Sequence, residues 1–538
     1  MKNFKKFTAA IAATLMAASL SIPMATSFTA SAAADVTITQ VGEGTHVYTA
    51  YTIFTGTVTK DADSGAVTLE SPTWANPDKA ADLLAALQAD NTIGSVFTDC
   101  TIDAASVAKA MGSINSNTPQ AAALAKVIAN NKTLVGTAVT STDNVLSLDN
   151  GYYVIIDELA ADSSVVNTAV SAYILQVVGD EAIELTAKAE KPTVDKQVYD
   201  NDDSAAEGDN NGWGESADHA INESFQFKLT ATIPADADFA AYETYKVVFN
   251  DEMSAGVTFE SIESVKVAGN DTDIKDNTDV TSTATAGQKG GKWTLTINDI
   301  LKYDNDLTDG ATIEVIYNAH LNPDATIRTE SGEGVNTNNN KVSLSYSNNP
   351  NATGENETLG TTTEDYVWVF TYDVENTKYK NSVADGNELA NAGFRLYDST
   401  GATEIELIYD EAKSAYRPIG EGEKGVEMKS AANGVFNIIG LDAGTYTLKE
   451  TTTPDGYNKC EDIAITIAAT HKENANATSA DLTLTETNGD NDIVNKSGSE
   501  LPSTGGIGTT LFYLGGGCMV AVAGIFLITK KRMSKNAE

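Results

Sequence analysis

Three polar residues in the last third of the chain have side chains that can react with one another. Lys378 is near the end of the stretch "YVWVFTYDVENTKY" (366–379), Glu450 lies in "YTLKE" and Asn495 lies in "NDIVN". Every second side chain of a strand points the same way, and on this phase each of the three shares a face with apolar residues. Burying an unpaired ammonium group costs several kcal/mol or removes its proton. The pattern therefore predicts a buried site rather than three unrelated polar groups.

The chemistry open to a buried lysine, acid and asparagine is amide formation. A neutral lysine amine is a nucleophile, and a carboxyl group whose pKa is raised by apolar surroundings can protonate and polarise a carboxamide. Attack of Lys378 on Asn495, promoted by Glu450, expels ammonia and leaves no buried charge. The competing interpretation is a set of surface polar residues at strand ends, and Lys380 is a weaker rival for the lysine.

The same phase test selects three residues in the middle of the chain. Lys196 in "KPTVDKQV", Asp251 in "YKVVFNDEM" and Asn340 in "NNNKVSLSYS" each alternate in phase with apolar neighbours. The phase favours Asn340 over the asparagine that precedes it. The residues that stay open as alternatives are Glu223 and Asp238 for the acid, and Asn336, Asn338 and Asn339 for the asparagine.

Both sets of residues lie in stretches that resemble known domain families. "YTLKETTTPDGY" resembles the E-box of collagen-adhesin B-type (Cna-B) immunoglobulin-like domains, and the resemblance to these domains covers residues 366–497. The positions of Lys378 and Asn495 are similar to those of the lysine and asparagine that form the intramolecular isopeptide bond of this family. "KPTVDKQV", "NDEMSAGVTF" and "NKVSLSYSNNP" resemble the A-type (Cna-A) middle domain of Gram-positive backbone pilins. That second resemblance implies a bond between Lys196 and Asn340, assisted by Asp251.

The two ends of the chain carry targeting signals. Three lysines, an apolar run and the stretch "ASAAA" are typical of a secretory signal peptide over residues 1–34, with cleavage between Ala32 and Ala34. Near the other end, the apolar run 507–529 is long enough to span a bilayer. Basic residues follow it and keep that end in the cytoplasm. The pentapeptide before this run consists of Leu501, Pro502, Ser503, Thr504 and Gly505.

The pentapeptide, apolar run and basic tail together resemble the LPxTG cell-wall sorting signal of Gram-positive surface proteins. The resemblance implies that a sortase cysteine attacks the Thr504 carbonyl, releases Gly505 onward and passes the acyl group to an amine. Lys188 in "EAIELTAKAEKP" faces solvent by strand phase and resembles the pilin-motif lysine of major pilins. Lys191 competes with it for this role, and an ordinary solvated lysine is the remaining interpretation.

Composition excludes several function classes. The 538 residues include 35 basic and 75 acidic side chains, and the net charge of −40 repels nucleic acid and anionic membranes. Three cysteines do not make a disulfide framework. No zinc-protease or serine-hydrolase motif occurs, which argues against an enzyme that acts on an outside substrate. No metal or cofactor is predicted, because the acidic loops lack the spacing of a calcium-binding EF-hand.

The predicted fold is mainly β, with tandem immunoglobulin-like β-sandwiches that follow an α+β N-terminal domain. Short alternating strands separated by Asn, Asp and Gly clusters favour sandwiches, whereas Ala-rich helical patterns occur only early in the chain. The predicted domains are a signal peptide (1–34), an N-terminal α+β pilin domain (35–190), a Cna-A-like sandwich (191–365), a Cna-B-like sandwich (366–497) and a sorting signal with its transmembrane segment and basic tail (498–538).

The resemblances together imply a structural backbone subunit of a covalent pilus (fimbria) on the cell surface, anchored to peptidoglycan. A sortase would join Thr504 of one subunit to Lys188 of the next, and this head-to-tail contact does not close, so the polymer grows. The implied partners are identical subunits, a pilus-type sortase, a housekeeping sortase and tip or base pilins, with no nucleic acid. The alternative is a monomeric wall-anchored adhesin that binds a host or bacterial ligand.

Overall fold

The computed structural model shows a chain built mainly of β-strands, with α-helices near its N-terminal end. Contacts divide the chain into two compact units, residues 1–371 with 469–485 and residues 372–468 with 486–538. The prediction of a mainly β protein with an α+β N-terminal region is confirmed. The residues that the structure describes are 33–40, 44–60, 67–115, 118–161, 168–171, 173–179, 182–187, 191–200, 212–235, 239, 242–267, 272–304, 307–328, 338–350, 357–472, 481–487, 491–498 and 519–520.

The N-terminal region of the first unit combines two small sheets with helices. One sheet has the strand order β3-β2-β6-β7 with β4 beside β2, and the other has the order β5-β1-β8. The elements are β1 (Ala34–Thr39), β2 (His46–Lys60), β3 (Val67–Trp74), α1 (Ala80–Ala89), α2 (Gly94–Phe97), α3 (Ala104–Met111), α4 (Pro119–Asn130), β4 (Ala138–Thr140), β5 (Val145–Leu148), β6 (Gly151–Leu159), β7 (Ile174–Val178) and β8 (Ile183–Thr186), with short 3-10 turns at Pro77–Lys79 and Lys132–Leu134.

Two of these helices begin at residues whose side chains satisfy free backbone N–H groups. The Asp103 carboxylate accepts from the Ser106 N–H at 3.1 Å at the start of α3. The Thr118 hydroxyl accepts from the Ala121 N–H at 3.2 Å at the start of α4, where Pro119 occupies the first helical position. Such caps and an N-terminal proline are strong helix starts, so both helices begin where the local sequence favours a start.

The middle region of the first unit forms one large, strongly bent sheet. Its main strand order is β10-β9-β12-β16-β13-β17-β19-β11, with β14, β15 and β18 attached at the sides. The elements are β9 (Thr193–Tyr199), β10 (Trp213–Gly214), β11 (Ser216–Asp218), β12 (Ser224–Ile233), β13 (Val247–Val267), β14 (Val280–Ser282), β15 (Lys289–Ile297), β16 (Ala311–Leu321), β17 (Asn339–Ser347), β18 (Leu359–Thr361) and β19 (Asp365–Phe370), with 3-10 turns at Ile300–Lys302 and Leu307–Asp309.

The long strand β13 turns this sheet into two facing layers. Its first half, 247–253, pairs with β15 and β17, and its second half, 257–267, pairs with β16. The strand pairing shifts register between these halves, and such irregularities let one strand pass from one layer to the other. The layer that contains β9 therefore packs against the layer that contains β17, and the apolar core lies between them.

The N-terminal and middle regions contact each other within the first unit. The Tyr346 hydroxyl of β17 donates to the Thr168 carbonyl at 3.1 Å, and the Val170 N–H donates to the Asn348 carbonyl at 2.9 Å. The domain boundary predicted near residue 190 therefore separates two sets of sheets inside one compact unit.

The second unit is a smaller set of sheets whose first and last regions meet. Strand β21 pairs in parallel with β31, with Lys378 opposite Ile493. The remaining sheets have the orders β20-β27-β25-β24 and β23-β22-β28-β29. The elements from residue 372 onward are β20 (Tyr372–Val374), β21 (Asn376–Lys380), β22 (Gly393–Tyr397), β23 (Glu404–Ile405), β24 (Leu407–Asp410), β25 (Ala415–Pro418), β26 (Met428–Lys429), β27 (Ile438–Leu441), β28 (Gly444–Thr452), β29 (Ile463–Lys472), β30 (Asp481–Thr487) and β31 (Asn491–Asn495). The end of β29 and most of β30 fall within residues 469–485, which belong to the first unit.

The stretch 366–379 is divided among three strands, whereas its alternating pattern predicted one. Strand β19 pairs with β17 and β11 in the first unit, and β20 and β21 belong to the second. The boundary predicted at 365/366 stays a prediction, and the contacts of the structure divide the chain after Thr371. That residue is buried and its carbonyl accepts from the Arg328 N–H at 2.8 Å, which ties the end of β19 to the first unit.

No helix in the described part of the chain is long and apolar enough to cross a membrane. The span predicted for residues 507–529 lies outside the described residues, apart from Met519 and Val520.

Candidate functional site

Strands β21, β28 and β31 bring Lys378, Glu450 and Asn495 together in the core of the second unit, and we call these residues the C-terminal cluster. The Lys378 Nζ donates to Asn495 Oδ1 at 2.6 Å, and Asn495 Nδ2 donates to Glu450 Oε1 at 2.7 Å. The lysine nitrogen lies 3.7 Å from that same glutamate oxygen. The residues are at most 1% exposed. The carboxamide thus contacts a nucleophile on one side and an acid on the other.

The surroundings of the C-terminal cluster favour a neutral amine. The Lys378 Nζ lies 5.2 Å from the centre of the Phe394 ring, which stacks on Phe436. Burial lowers the pKa of Lys378, although the nearby charge of Glu450 opposes this shift. The second oxygen of Glu450 accepts from the Cys460 N–H at 2.8 Å, which holds the carboxyl group in position.

In the first unit, β9, β13, β16 and β17 bring together Lys196, Asp251, Tyr317 and Asn340, which we call the middle cluster. The Asp251 carboxylate accepts from the Lys196 Nζ and forms an ion pair with it. The Tyr317 hydroxyl accepts from the Lys196 Nζ at 3.0 Å and from Asn340 Nδ2 at 2.5 Å, and it donates to Asp251 Oδ2 at 3.1 Å. The side chains are buried.

Burial shifts both charged groups of the middle cluster toward their neutral forms. It lowers the pKa of Lys196 and raises the pKa of Asp251, and the attraction between the two groups opposes each shift. The rings of Phe227 and Tyr317 lie about the lysine nitrogen, at 5.0 and 5.2 Å from it to their centres. Within the described part of the chain, Asp251 Oδ1 and Asn340 Oδ1 are buried without a hydrogen-bond partner. Unsatisfied buried acceptors of this kind are costly.

Those alternatives left open by the sequence that fall within the described residues lie in less suitable places. Lys380 is half-buried, and Glu223 is exposed and accepts from the Ala220 N–H at 3.0 Å. Asn339 is half-buried, and the Asn338 side chain is bonded to the Thr326 backbone in both directions at 2.8 Å. The alternatives Asp238 and Asn336 lie outside the described residues.

Sequence reasoning missed Tyr317. It lies in "IEVIYNAHL", where Ile313, Val315, Tyr317 and Ala319 alternate as buried residues along β16. The phase test identifies charged and amide side chains that alternate with apolar ones. A tyrosine at such a position is not identified, because its ring is typical of an ordinary core residue. A search for aromatic hydroxyls in the same phase would have found it.

The residues of the proposed intersubunit linkage are not in the described part of the chain. Lys188 and the pentapeptide Leu501 to Gly505, including Thr504, lie outside it. The competitor Lys191 is half-buried just before β9.

Several solved structures are similar to this chain. They include the T6 backbone pilin of serotype M6 Streptococcus pyogenes, at 16% identity and a TM-score of 0.47, covering 88% of this chain and 100% of that one. The major pilin SpaD from Corynebacterium diphtheriae has 15% identity and a TM-score of 0.40, with 87% and 98% covered. The major pilin subunit BcpA of Bacillus cereus has 17% identity and a TM-score of 0.39, with 87% and 99% covered. No curated protein matches the chain.

Three family models match separate segments. Residues 221–350 match the Gram-positive pilin backbone subunit 2, Cna-B-like domain, where the sequence stretches predicted an A-type domain. Residues 374–482 match the SpaA prealbumin-like fold domain, and residues 493–535 match the LPXTG cell wall anchor motif. The chain therefore carries a Gram-positive pilin backbone domain, a SpaA prealbumin-like fold domain and an LPXTG cell wall anchor motif, which place it on the cell wall.

Proposed function

We propose that this chain is the structural backbone subunit of a covalent surface pilus, matured by isopeptide bonds between Lys196 and Asn340 and between Lys378 and Asn495. The observation that supports the bonds is the repeated cluster. Within the described residues, the two fully buried lysines each form an ion pair with one carboxyl group. Lys378 also donates to Asn495, and Lys196 is connected to Asn340 through the Tyr317 hydroxyl. Buried ionisable groups with shifted pKa values concentrate at functional sites, and two unrelated strand sets carry the same three residue types.

The proposed reaction in the C-terminal cluster follows from its contacts. The neutral amine of Lys378 forms a bond to Asn495 Cγ, the Cγ–Nδ2 bond breaks, and Nδ2 leaves as ammonia. Glu450 accepts the proton that the amine gives up and supplies one to the leaving nitrogen, so it ends the reaction as it began. Each bond forms once per chain, which makes this a maturation step rather than turnover.

Each proposed bond joins two strands that a pulling force on the subunit would otherwise separate. Strands β21 and β31 lie near the beginning and the end of the second unit and pair in parallel as one two-stranded sheet. Lys196 on β9 and Asn340 on β17 belong to different layers of the first unit. A covalent link at each place carries force that strand hydrogen bonds would otherwise carry, so the subunit resists extension and proteolysis.

The proposed polymer uses residues near both ends of the chain. A pilus-type sortase joins Thr504 of one subunit to Lys188 of the next, and a housekeeping sortase attaches the finished fibre to peptidoglycan. The match of residues 493–535 to the anchor motif supports the first step. Tip or base pilins are further partners of such a fibre.

Intact mass of the purified full chain, followed by peptide mapping, tests the maturation step. We expect the mass to be lower by two ammonia molecules than the mass of the sequence that remains after signal-peptide cleavage, with Lys196 and Lys378 each in a branched peptide. A chain with an unreduced mass would overturn the cross-links and leave an uncross-linked wall-anchored protein.

Replacing Lys188 by Ala tests the polymer. In cells that contain the pilus sortase, we expect this variant to lose the ladder of high-mass polymers and to remain as wall-attached monomer, because the acyl acceptor is gone. Replacing Lys191 by Ala is the matched control and should keep the ladder. The reverse result would assign the linkage to Lys191, and a wild-type chain without any ladder would favour the monomeric adhesin.

A further inference from the structure

The hydroxyl of Tyr317 occupies the centre of the middle cluster. It is the one group there that contacts the lysine nitrogen, the acid and the carboxamide nitrogen, at 3.0, 3.1 and 2.5 Å. The ring is held by packing against Trp293 at 5.0 Å, Phe227 at 5.2 Å and Phe259 at 5.7 Å between ring centres. A ring enclosed in this way has little freedom, so the hydroxyl position is set by the core.

The two clusters connect the acid to the carboxamide differently. In the C-terminal cluster, Asn495 Nδ2 donates directly to Glu450. In the middle cluster, Asn340 Nδ2 donates to Tyr317, and the Tyr317 hydroxyl donates to Asp251. Asp251 is shorter than Glu450 by one methylene group, and the phenol fills the place between this acid and the nitrogen that must leave.

We propose that Tyr317 is a catalytic residue of the middle cluster that relays a proton from Asp251 to the departing nitrogen of Asn340. The inference rests on the proposed function, because it assigns a role within the Lys196–Asn340 reaction. A hydroxyl can donate and accept at once and can rotate between partners. Burial keeps the pKa of Tyr317 above its ordinary value, so the hydroxyl keeps its proton until the relay uses it.

The relay balances in protons and bonds. The Lys196 ammonium group first passes one proton to the Asp251 carboxylate, and the neutral amine then forms a bond to Asn340 Cγ. The Cγ–Nδ2 bond then breaks while the Tyr317 hydroxyl gives its proton to Nδ2, which leaves as ammonia. Asp251 returns a proton to the phenolic oxygen. The Asp251 carboxylate then takes up the second proton, which the new amide nitrogen gives up. Tyr317 ends in its starting state, Asp251 ends as the neutral acid, and the net change is one amide formed and one ammonia released.

The test follows bond formation with time in the full chain. The chain is synthesised in a cell-free reaction, synthesis is stopped, and samples are mapped for the Lys196–Asn340 and Lys378–Asn495 peptides. We expect Tyr317→Phe to slow the first bond by about 100-fold or more, the usual range for loss of proton transfer. The second bond should form at the wild-type rate, which also reports that the second unit has folded.

Tyr346→Phe is the matched control, because it removes another buried hydroxyl of the same sheet whose partner is the Thr168 carbonyl. It should leave the Lys196–Asn340 rate unchanged. Rates in heavy and ordinary water provide a readout that a structural role would not move. In the wild-type chain, the ratio of the rate in ordinary water to the rate in heavy water should be larger for the Lys196–Asn340 bond than for the Lys378–Asn495 bond. Tyr317→Phe should change this ratio for the Lys196–Asn340 bond only.

Each outcome decides between the relay and its alternatives. A Tyr317→Phe chain that forms the Lys196–Asn340 bond at the wild-type rate overturns the relay and leaves the proposed function intact. A wild-type chain that never forms this bond overturns the proposed reaction in the middle cluster itself. If circular dichroism shows that Tyr317→Phe has lost the fold of the first unit, the solvent isotope ratios of the wild-type chain decide instead. Equal ratios for the two bonds would overturn the relay.

Discussion

Replacing Glu450 by Gln should leave the Lys378–Asn495 bond unformed. Glutamine keeps the shape of the side chain but cannot take up and return a proton, so the amine has no base and the leaving nitrogen has no acid. The intact mass of the full chain should then be lower than the sequence mass by one ammonia molecule instead of two. Peptide mapping should find Lys378 unmodified and Lys196 still cross-linked.

The loss of this bond should also destabilise the second unit. By analogy with a disulfide, a cross-link between residues 117 positions apart lowers the conformational entropy of the unfolded chain and so stabilises the folded state by about 5 kcal/mol. For a domain of this size such a change lowers Tm by roughly 20 °C. The variant also leaves a lysine buried without its charged partner, which adds to the loss. Calorimetry of the full chain should show the transition of the second unit at lower temperature.

Glu427→Gln is the matched control for Glu450→Gln. Its carboxylate lies in the same unit and accepts from Thr451 and Thr452 at 2.7 and 2.6 Å. Because these contacts do not involve Lys378, we expect both ammonia molecules to be lost. A Glu450→Gln chain that also loses both would rule out the glutamate as the promoting acid.

Replacing Asn340 by Ala should remove the cross-link of the first unit while the ion pair between Lys196 and Asp251 remains. The substitution deletes only the carboxamide that is attacked, so it separates the effect of the covalent bond from the effect of an unpaired buried charge. We expect one ammonia molecule fewer to be lost and a stability loss on the order of 5 kcal/mol for the sheet that contains β9 and β17. Peptide mapping measures the loss of the cross-link, and the rate of limited proteolysis measures the loss of stability.

Asn339→Ala provides the comparison for Asn340→Ala. Asn339 is the neighbouring residue on β17 but points to the other face and is half-buried. We expect Asn339→Ala to keep the bond and the protease resistance of the wild-type chain. A bond that survives Asn340→Ala and disappears in Asn339→Ala would move the reaction to the other face of the strand and contradict the geometry of the middle cluster.

Much of each cluster could be predicted from the sequence because strand phase is a local property. The alternation of side chains along "KPTVDKQV" and "YTLKE" is set by the backbone alone, and it singled out Lys196 and Glu450, which the structure buries. It also separated Asn340 from Asn339. Helix starts at Asp103 and Thr118 were equally local, since a cap and its helix are adjacent in the chain.

What the sequence by itself determined is therefore which residues point inward and which chemical types they are. Only the tertiary structure decided where "YVWVFTYDVENTKY" breaks into strands of two units, which strands become neighbours, and that Tyr317 stands between Asp251 and Asn340. These features depend on pairings between residues far apart in the chain. The alternation of side chains with a period of two residues is the same in every strand. It therefore carries no information about which other strand packs against a given one.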